Sequence, residues 1–336
     1  MKRLSLAALL GSAVAICTPA AGQEILAFGT ANPEQHPLVT RILTPWVEAI
    51  NADAGDLFQI EMRNGPMMVN HTNFYDRVQD DVVQLVWGVT AFDPGRFPHT
   101  LVSTLPFLIQ NSETAAVAAC EMARAGNFGS DFDGLVPLLF VQFPQAALSF
   151  NNHPATGMES MAGMKVMTGS PVVSGLVQAY GGTPLSINVP EMYQALQRGT
   201  AEGMIMNFTA FPGFRLNEVT TDHLIAPLGG AVGVVFMMQD RYDALPAEAR
   251  AVLDAHSDCA ASRTVGAETD RWEADARAFV EAQGGHTFNT LNDEQLAELT
   301  ARVSGTIQAG FIARVGEGGE ELIAQYRAAL DAAAAE

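Results

Sequence analysis

Twice along the chain, short apolar or alternating runs take turns with stretches in which apolar residues return every three or four positions. This alternation limits the possible folds more than any other feature. EILAFGT at 24–30 is a strand pattern, and HPLVTRILTPWVEAINADAG follows, with Val39, Ile42, Trp46, Val47 and Ile50 at helical spacing before Gly55. LFQIEMRNG alternates like a strand and stops in a turn at Asn64 and Gly65. NFYDRVQDDV reads as a helix and VQLVWGV as a buried strand. This β-α-β-α-β order implies a mainly parallel sheet with helices on its faces.

A second unit of the same kind starts after PLLFVQFPQAALSFN. AGMKVMTG enters as a strand, SPVVSGLVQAYGG is a helix stopped by Gly181 and Gly182, and TPLSINV is a strand. PEMYQALQRG is a helix with Pro190 in its first turn and Gly199 beyond its end, and AEGMIMNF is a strand. GVVFMMQ returns as a further strand. From LPAEARAVLDAHS onward the chain is mostly helical, and its alanine-rich tail, YRAALDAAAAE, is expected to fray. The length of 336 residues exceeds one core. The predicted fold is therefore α/β with two intertwined lobes, 24–144 with 233–272 as lobe one and 145–232 with 273–336 as lobe two.

The first 22 residues place Lys2 and Arg3 before an apolar run and then small residues, the layout of a secretory signal peptide. The run is too short for a transmembrane span of roughly 20 residues, and no later segment reaches that length. The mature chain is expected to be exported and not embedded in a membrane. With 37 acidic against 18 basic residues, two of the latter in the leader, its field repels nucleic acid and anionic lipid. Cys120 and Cys259 could form a disulfide in an oxidising compartment; two small buried hydrophobes is the favoured of the two readings, because no dense cysteine framework surrounds them, and the pairing stays open.

Catalytic motifs are absent from the sequence. Its seven histidines show no HExxH or paired metal spacing, and there is no GxSxG elbow, P-loop or strand-linked GxGxxG. No cofactor, metal or nucleophile and base pair is nominated, so the chain is not read as an enzyme. An exported two-lobed chain of this kind suggests a binding protein, its ligand in the crevice at the carboxyl ends of the strands.

LPFLI at 105–109, MAGMKV at 161–166 and PEMYQALQRGTAEGM at 190–204 resemble, in order and spacing, the solute-binding subunits of TRAP transporters of the C4-dicarboxylate type. LPAEARAVLDAH is similar to a later helix of that family. The resemblance implies a type II periplasmic-binding-protein fold with the ligand cleft between lobes. It also implies a receptor that captures a small organic solute, an organic acid by family weight, and delivers it to membrane permease subunits.

In that family an arginine ending a GLKIR-like stretch grips the ligand carboxylate, a task suited to its planar fork. Lys165 falls on the family lysine, which turns toward solvent, and Met167 falls on the arginine. A second arginine of some relatives falls near Ala147, an aromatic at Val189, and an asparagine at Met206 with Asn207 beside it. Trp87 matches a ligand-facing aromatic. The candidate ligand-binding set is Trp87, Gln145, Met167, Val189, Met206 and Asn207, with Gln145 and Asn207 as donors. Phe208, Phe211, Phe214 and Phe236 are read as core. Without the arginine, burying a carboxylate costs several kcal/mol. Arg215 stands as either a relocated cation or a surface ion pair, and a neutral, aromatic or amine-bearing solute stands beside the organic acid. A secreted sensory binding protein or enzyme is a further alternative.

Overall fold

The computed structural model describes residues 23–336, so the signal-peptide reading of residues 1–22 lies outside the described residues. Eleven strands form among them: β1 (Glu24–Thr30), β2 (Phe58–Asn64), β3 (Leu85–Val89), β4 (Leu135–Phe143), β5 (Ala147–Phe150), β6 (Lys165–Met167), β7 (Thr183–Leu185), β8 (Gly203–Met206), β9 (Asp222–Ile225), β10 (Ala231–Met238) and β11 (Thr287–Thr290). The strands build two sheets, in the orders β2-β1-β3-β10-β4 and β11-β9-β5-β8-β6-β7.

Each sheet is mixed. Where a helix carries the chain back, as between β1, β2 and β3 or between β6, β7 and β8, the paired strands run parallel. β10 runs antiparallel to β3 and β4, and β5 antiparallel to β8 and β9, so the parallel expectation holds for the βα units and not for these two strands. Both antiparallel strands adjoin short links that pass between the sheets: 144–146 joins β4 to β5, and 226–230 joins β9 to β10. Neither link contains a helix to reverse the chain.

The two links lie side by side. The Ala146 N–H donates to the Gly229 carbonyl at 2.8 Å, and the Gly229 N–H donates to Gln145 Oε1. Position 229 requires glycine twice over: its φ is +94°, and a Cβ there would stand 2.1 Å from the Thr104 carbonyl oxygen.

A long helix, Cys259–Gln283, also spans the two sheets. Asp258 caps its start by accepting the Ala261 N–H at 2.7 Å. Near its middle, Asp270 accepts the N–H groups of Ser112 and Glu113 at the head of the helix Ser112–Arg124. Glu273 then accepts the Phe208 N–H at 3.0 Å and the Thr209 N–H at 2.7 Å, just beyond β8.

Two expectations need correction here. Cys120 and Cys259 are bonded, with Cα atoms 5.5 Å apart, because the long helix begins against the helix Ser112–Arg124 and brings together residues 139 positions apart. The alanine-rich tail does not fray. The helix Gly319–Ala335 runs to Ala335 against the helix Ser112–Arg124, with Leu330 and Ala333 buried and the Ala333 carbonyl accepting from Arg263 at 3.1 Å.

Candidate functional site

The strand ends gather their following residues around a cavity of about 100 Å³. Asn32 and His36 follow β1, Phe92 follows β3, Gly169 and Ser170 follow β6, and Asn207 follows β8. These are the carboxyl ends of strands that pair in parallel, where α/β folds leave their crevices. Trp87 and Val89 contribute from β3, Phe143 from the end of β4, and Ile205 and Met206 from β8. Ala146, Gly229 and Gly230 enter from the links, and Thr209, Ala210 and Phe214 from just beyond β8. Trp272 reaches in from the long helix, so both sheets, the two links and this helix share one wall.

One stretch of that wall is a continuous run of rings. Trp87 meets Phe143 edge-on with ring centroids 6.2 Å apart, Phe143 meets Trp272 at 6.2 Å, and Trp272 meets His36 at 5.8 Å. Phe214 lies 5.1 Å from His36 on its other side. Such edge-to-face contacts follow from the negative faces and positive edges of the rings.

Among the described residues, no Lys, Arg, Asp or Glu lines the cavity. His36 and His71 do, and burial pushes both imidazoles down to about 4, with His71 adding to the shift of His36. Both are neutral at neutral pH. The Leu38 N–H donates to His36 Nδ1 at 3.2 Å, which leaves the proton of the neutral ring on Nε2. That Nε2 has no hydrogen-bond partner among the described residues, and the same holds for the indole nitrogens of Trp87 and Trp272.

Of the residues predicted for the site, Trp87, Val189, Met206 and Asn207 line the cavity. Met167 does not: it is fully buried in β6, its Cα paired with Met204 and Leu185, and the wall begins two residues on at Gly169. Gln145 does not line it either. Its amide donates to the Ile109 carbonyl at 2.6 Å and accepts the Gly229 N–H, so its polar atoms are engaged in tying the links together. Arg215 is exposed and pairs with Glu218 at 2.7 Å, the surface ion pair of the two alternatives. Lys165 is exposed, as read. Phe208, Phe211 and Phe236 are buried outside the cavity, whereas Phe214 lines it.

Sequence reasoning missed His36, His71, Phe143 and Trp272. It also missed a hydroxyl and imidazole pair, Ser149 Oγ 2.9 Å from His223 Nδ1, with His286 3.1 Å beyond. Both Ser149 and His223 are fully buried within the second sheet, where no substrate reaches them.

A largely apolar, uncharged cavity between two sheets, walled by the segments that join them, defines a small-molecule binding protein of the two-lobed periplasmic type. The sequence pattern of the DctP family, bacterial extracellular solute-binding protein family 7, matches residues 28–312, and the chain belongs to that family. The ectoine-binding periplasmic protein TeaA of Halomonas elongata is 22% identical over 271 residues, 78% of this chain and 77% of that one. A marine metagenome TRAP solute-binding protein specific for aromatic acid ligands, crystallised with 3-hydroxybenzoate, superposes with a TM-score of 0.87 at 24% identity, over 93% of this chain and 99% of that one. A TRAP solute-binding protein from Rhodoferax ferrireducens with copurified benzoate gives 0.86 at 21% identity, over 93% and 98%. These likenesses establish the shared fold.

Proposed function

We propose that the chain is the extracytoplasmic receptor of a TRAP transporter, exported by the leader in residues 1–22, which closes around a small organic solute in the periplasm and hands it to membrane permease subunits. In this reading the lobes are 24–144 with 233–272 and 145–232 with 273–336, except that the helix Gly319–Ala335 returns to lobe one. The links at 144–146 and 226–230 form the hinge. Binding and release, rather than turnover, are its activity.

The observation that carries this reading is the cavity, whose wall is assembled from both sheets, the links 144–146 and 226–230 and the long helix Cys259–Gln283. A volume of about 100 Å³ is below that of an apolar cavity of roughly 150 Å³ that holds benzene, so it limits the solute to one small ring or less. Relatives named for aromatic acids and for ectoine favour the same size class. The C4-dicarboxylate expectation has no support from those relatives, and the cavity offers no cation for even one carboxylate.

A thermal-shift screen of organic acids, amides, amines and aromatics tests the receptor role. A solute at about 100 times its Kd adds about 2.7 kcal/mol of stability, which at about 2 °C per kcal/mol is a rise of about 5 °C. Failure of every compound to raise Tm contradicts the receptor reading.

A further inference from the structure

We infer that Glu273 is a positioning residue for the solute cavity: its carboxylate holds the wall segment 207–210 from outside the cavity, and a proton taken up there loosens that segment and weakens solute binding. This rests on the receptor reading of the cavity and adds to it a dependence of affinity on pH.

The long helix Cys259–Gln283 presents two neighbouring residues to two different spaces. Trp272 lines the solute cavity, while Glu273 lines a separate cavity of about 290 Å³ built on the same links, with Ala146 shared between the two. From there the carboxylate reaches the residues just beyond β8. Its Oε1 accepts the Phe208 N–H at 3.0 Å and its Oε2 the Thr209 N–H at 2.7 Å. β8 ends at Met206, so the sheet ladder does not hold these two amides and Glu273 does. Asn207 and Ala210, on either side of the bonded pair, line the solute cavity, as does Thr209 itself.

The arrangement needs the ionised acid. A carboxylate offers two acceptor oxygens to two N–H donors, whereas protonation turns one oxygen into an O–H donor and leaves one amide without a partner. Burial pushes the Glu273 carboxyl up to about 7, against the lowering effect of the Phe208 and Thr209 N–H groups and of the Arg277 charge, with Asp270 adding to the rise. Both of those charges stand on the same helix and have partners of their own: Asp270 accepts the Ser112 and Glu113 N–H groups, and Arg277 pairs with Glu281 at 2.8 Å. Arg41 also meets this helix and is taken up by Glu268 and Asp275. Among the described residues, the links and the end of β8 bring no titratable side chain to the cavity that Glu273 lines. From the second sheet, His223 packs on the Phe208 ring with centroids 5.5 Å apart, and burial keeps it neutral by pushing it down to about 3. His36 and His71 of the solute cavity, lowered by burial to about 4, keep their charge state above pH 6. A solute that needs the ordered wall selects the ionised acid. Binding then releases a proton, and affinity rises with pH through about 7.

Amide resonances of the ¹⁵N-labelled protein, followed from pH 5.5 to 8.5, read this coupling without any solute. The Phe208, Thr209 and Ala210 amides and the Asn207 side chain are expected to move together with a midpoint near 7, and to stay still in Glu273→Gln. Titration calorimetry then uses ectoine, benzoate and benzamide, whose charges do not change between pH 6 and 8. Kd is expected to be about 10-fold weaker at pH 6 than at pH 8, the effect of one proton with a midpoint near 7. Glu273→Gln is expected to bind at both pH values as the parent does at pH 6. Where these three compounds do not bind, a hit of the thermal screen that keeps its charge over this range takes their place. Resonances that do not titrate, or a titration confined to Phe208 and Thr209, overturn the inference, and they decide it alone where the variant folds poorly. Equal affinity at pH 6 and 8, or a pH dependence that Glu273→Gln retains, overturns it and leaves the receptor reading intact. If no compound binds at either pH, the receptor reading fails and takes this inference with it.

Discussion

Replacing Ala210 with phenylalanine is expected to weaken solute binding more than 100-fold while the protein still folds. Ala210 sits in the short helix Ala210–Phe214, is 7% exposed, and lines the cavity on the side opened by β8. A ring there occupies the space that the solute needs in a cavity of about 100 Å³. Overpacking of a filled site costs about 1–3 kcal/mol, and a cavity absorbs part of that. The variant should therefore melt near the parent and lose its response to the solute that stabilises the parent. Undiminished binding would mean that the solute sits elsewhere.

Removing the disulfide by the double change Cys120→Ala and Cys259→Ala is expected to give the largest loss of stability. The bond closes a loop of 139 residues. Chain entropy alone then assigns it about 5 kcal/mol, and measured native disulfides give about 2–5 kcal/mol. At about 2 °C per kcal/mol the melting point should fall by roughly 8 °C. The bond fixes the start of the long helix to the helix Ser112–Arg124, and Trp272 lies farther along that long helix. Affinity should drop together with stability. An unchanged midpoint in the double variant would show that the bond does not form in solution. A structural disulfide also suits an oxidising compartment, in keeping with export.

Much of the architecture was legible because periodicity marks βα units clearly. β1 to β3 and β6 to β8 appear where the alternation placed them, and Pro190 sits in the first turn of the helix Val189–Gln197. Strand direction at β5 and β10 was not legible, since it is set by the links 144–146 and 226–230, which carry no periodic signal. The pairing of Cys120 with Cys259 depends on two helices packing across 139 positions, which spacing alone does not reveal. The alanine-rich tail looked weakly anchored because its partner, the helix Ser112–Arg124, lies some two hundred positions earlier.

The site was partly readable through motif resemblance, which led to Trp87, Val189, Met206 and Asn207. It placed Met167 on the wall, but the methionine packs within the sheet and the wall begins at Gly169. Gln145 was assigned for its donor group, which the structure uses to bridge the links. Trp272 and Phe143 were missed because a helical tryptophan and a strand-end phenylalanine look like core in any sequence. His36 and His71 were missed because isolated histidines have many ordinary explanations. What marks these residues is convergence, and that exists only in three dimensions.

The central claim, that the cavity between the sheets is the solute site, is most directly tested through the indole N–H resonances of the ¹⁵N-labelled protein. The chain has three tryptophans. Trp46 donates to the His256 carbonyl at 2.8 Å and is away from the cavity, which makes it an internal reference. On saturation with a solute that raises Tm, the Trp87 and Trp272 signals should shift and the Trp46 signal should stay. A solute that binds while Trp87 and Trp272 stay in place, or that moves Trp46 alone, would contradict the account.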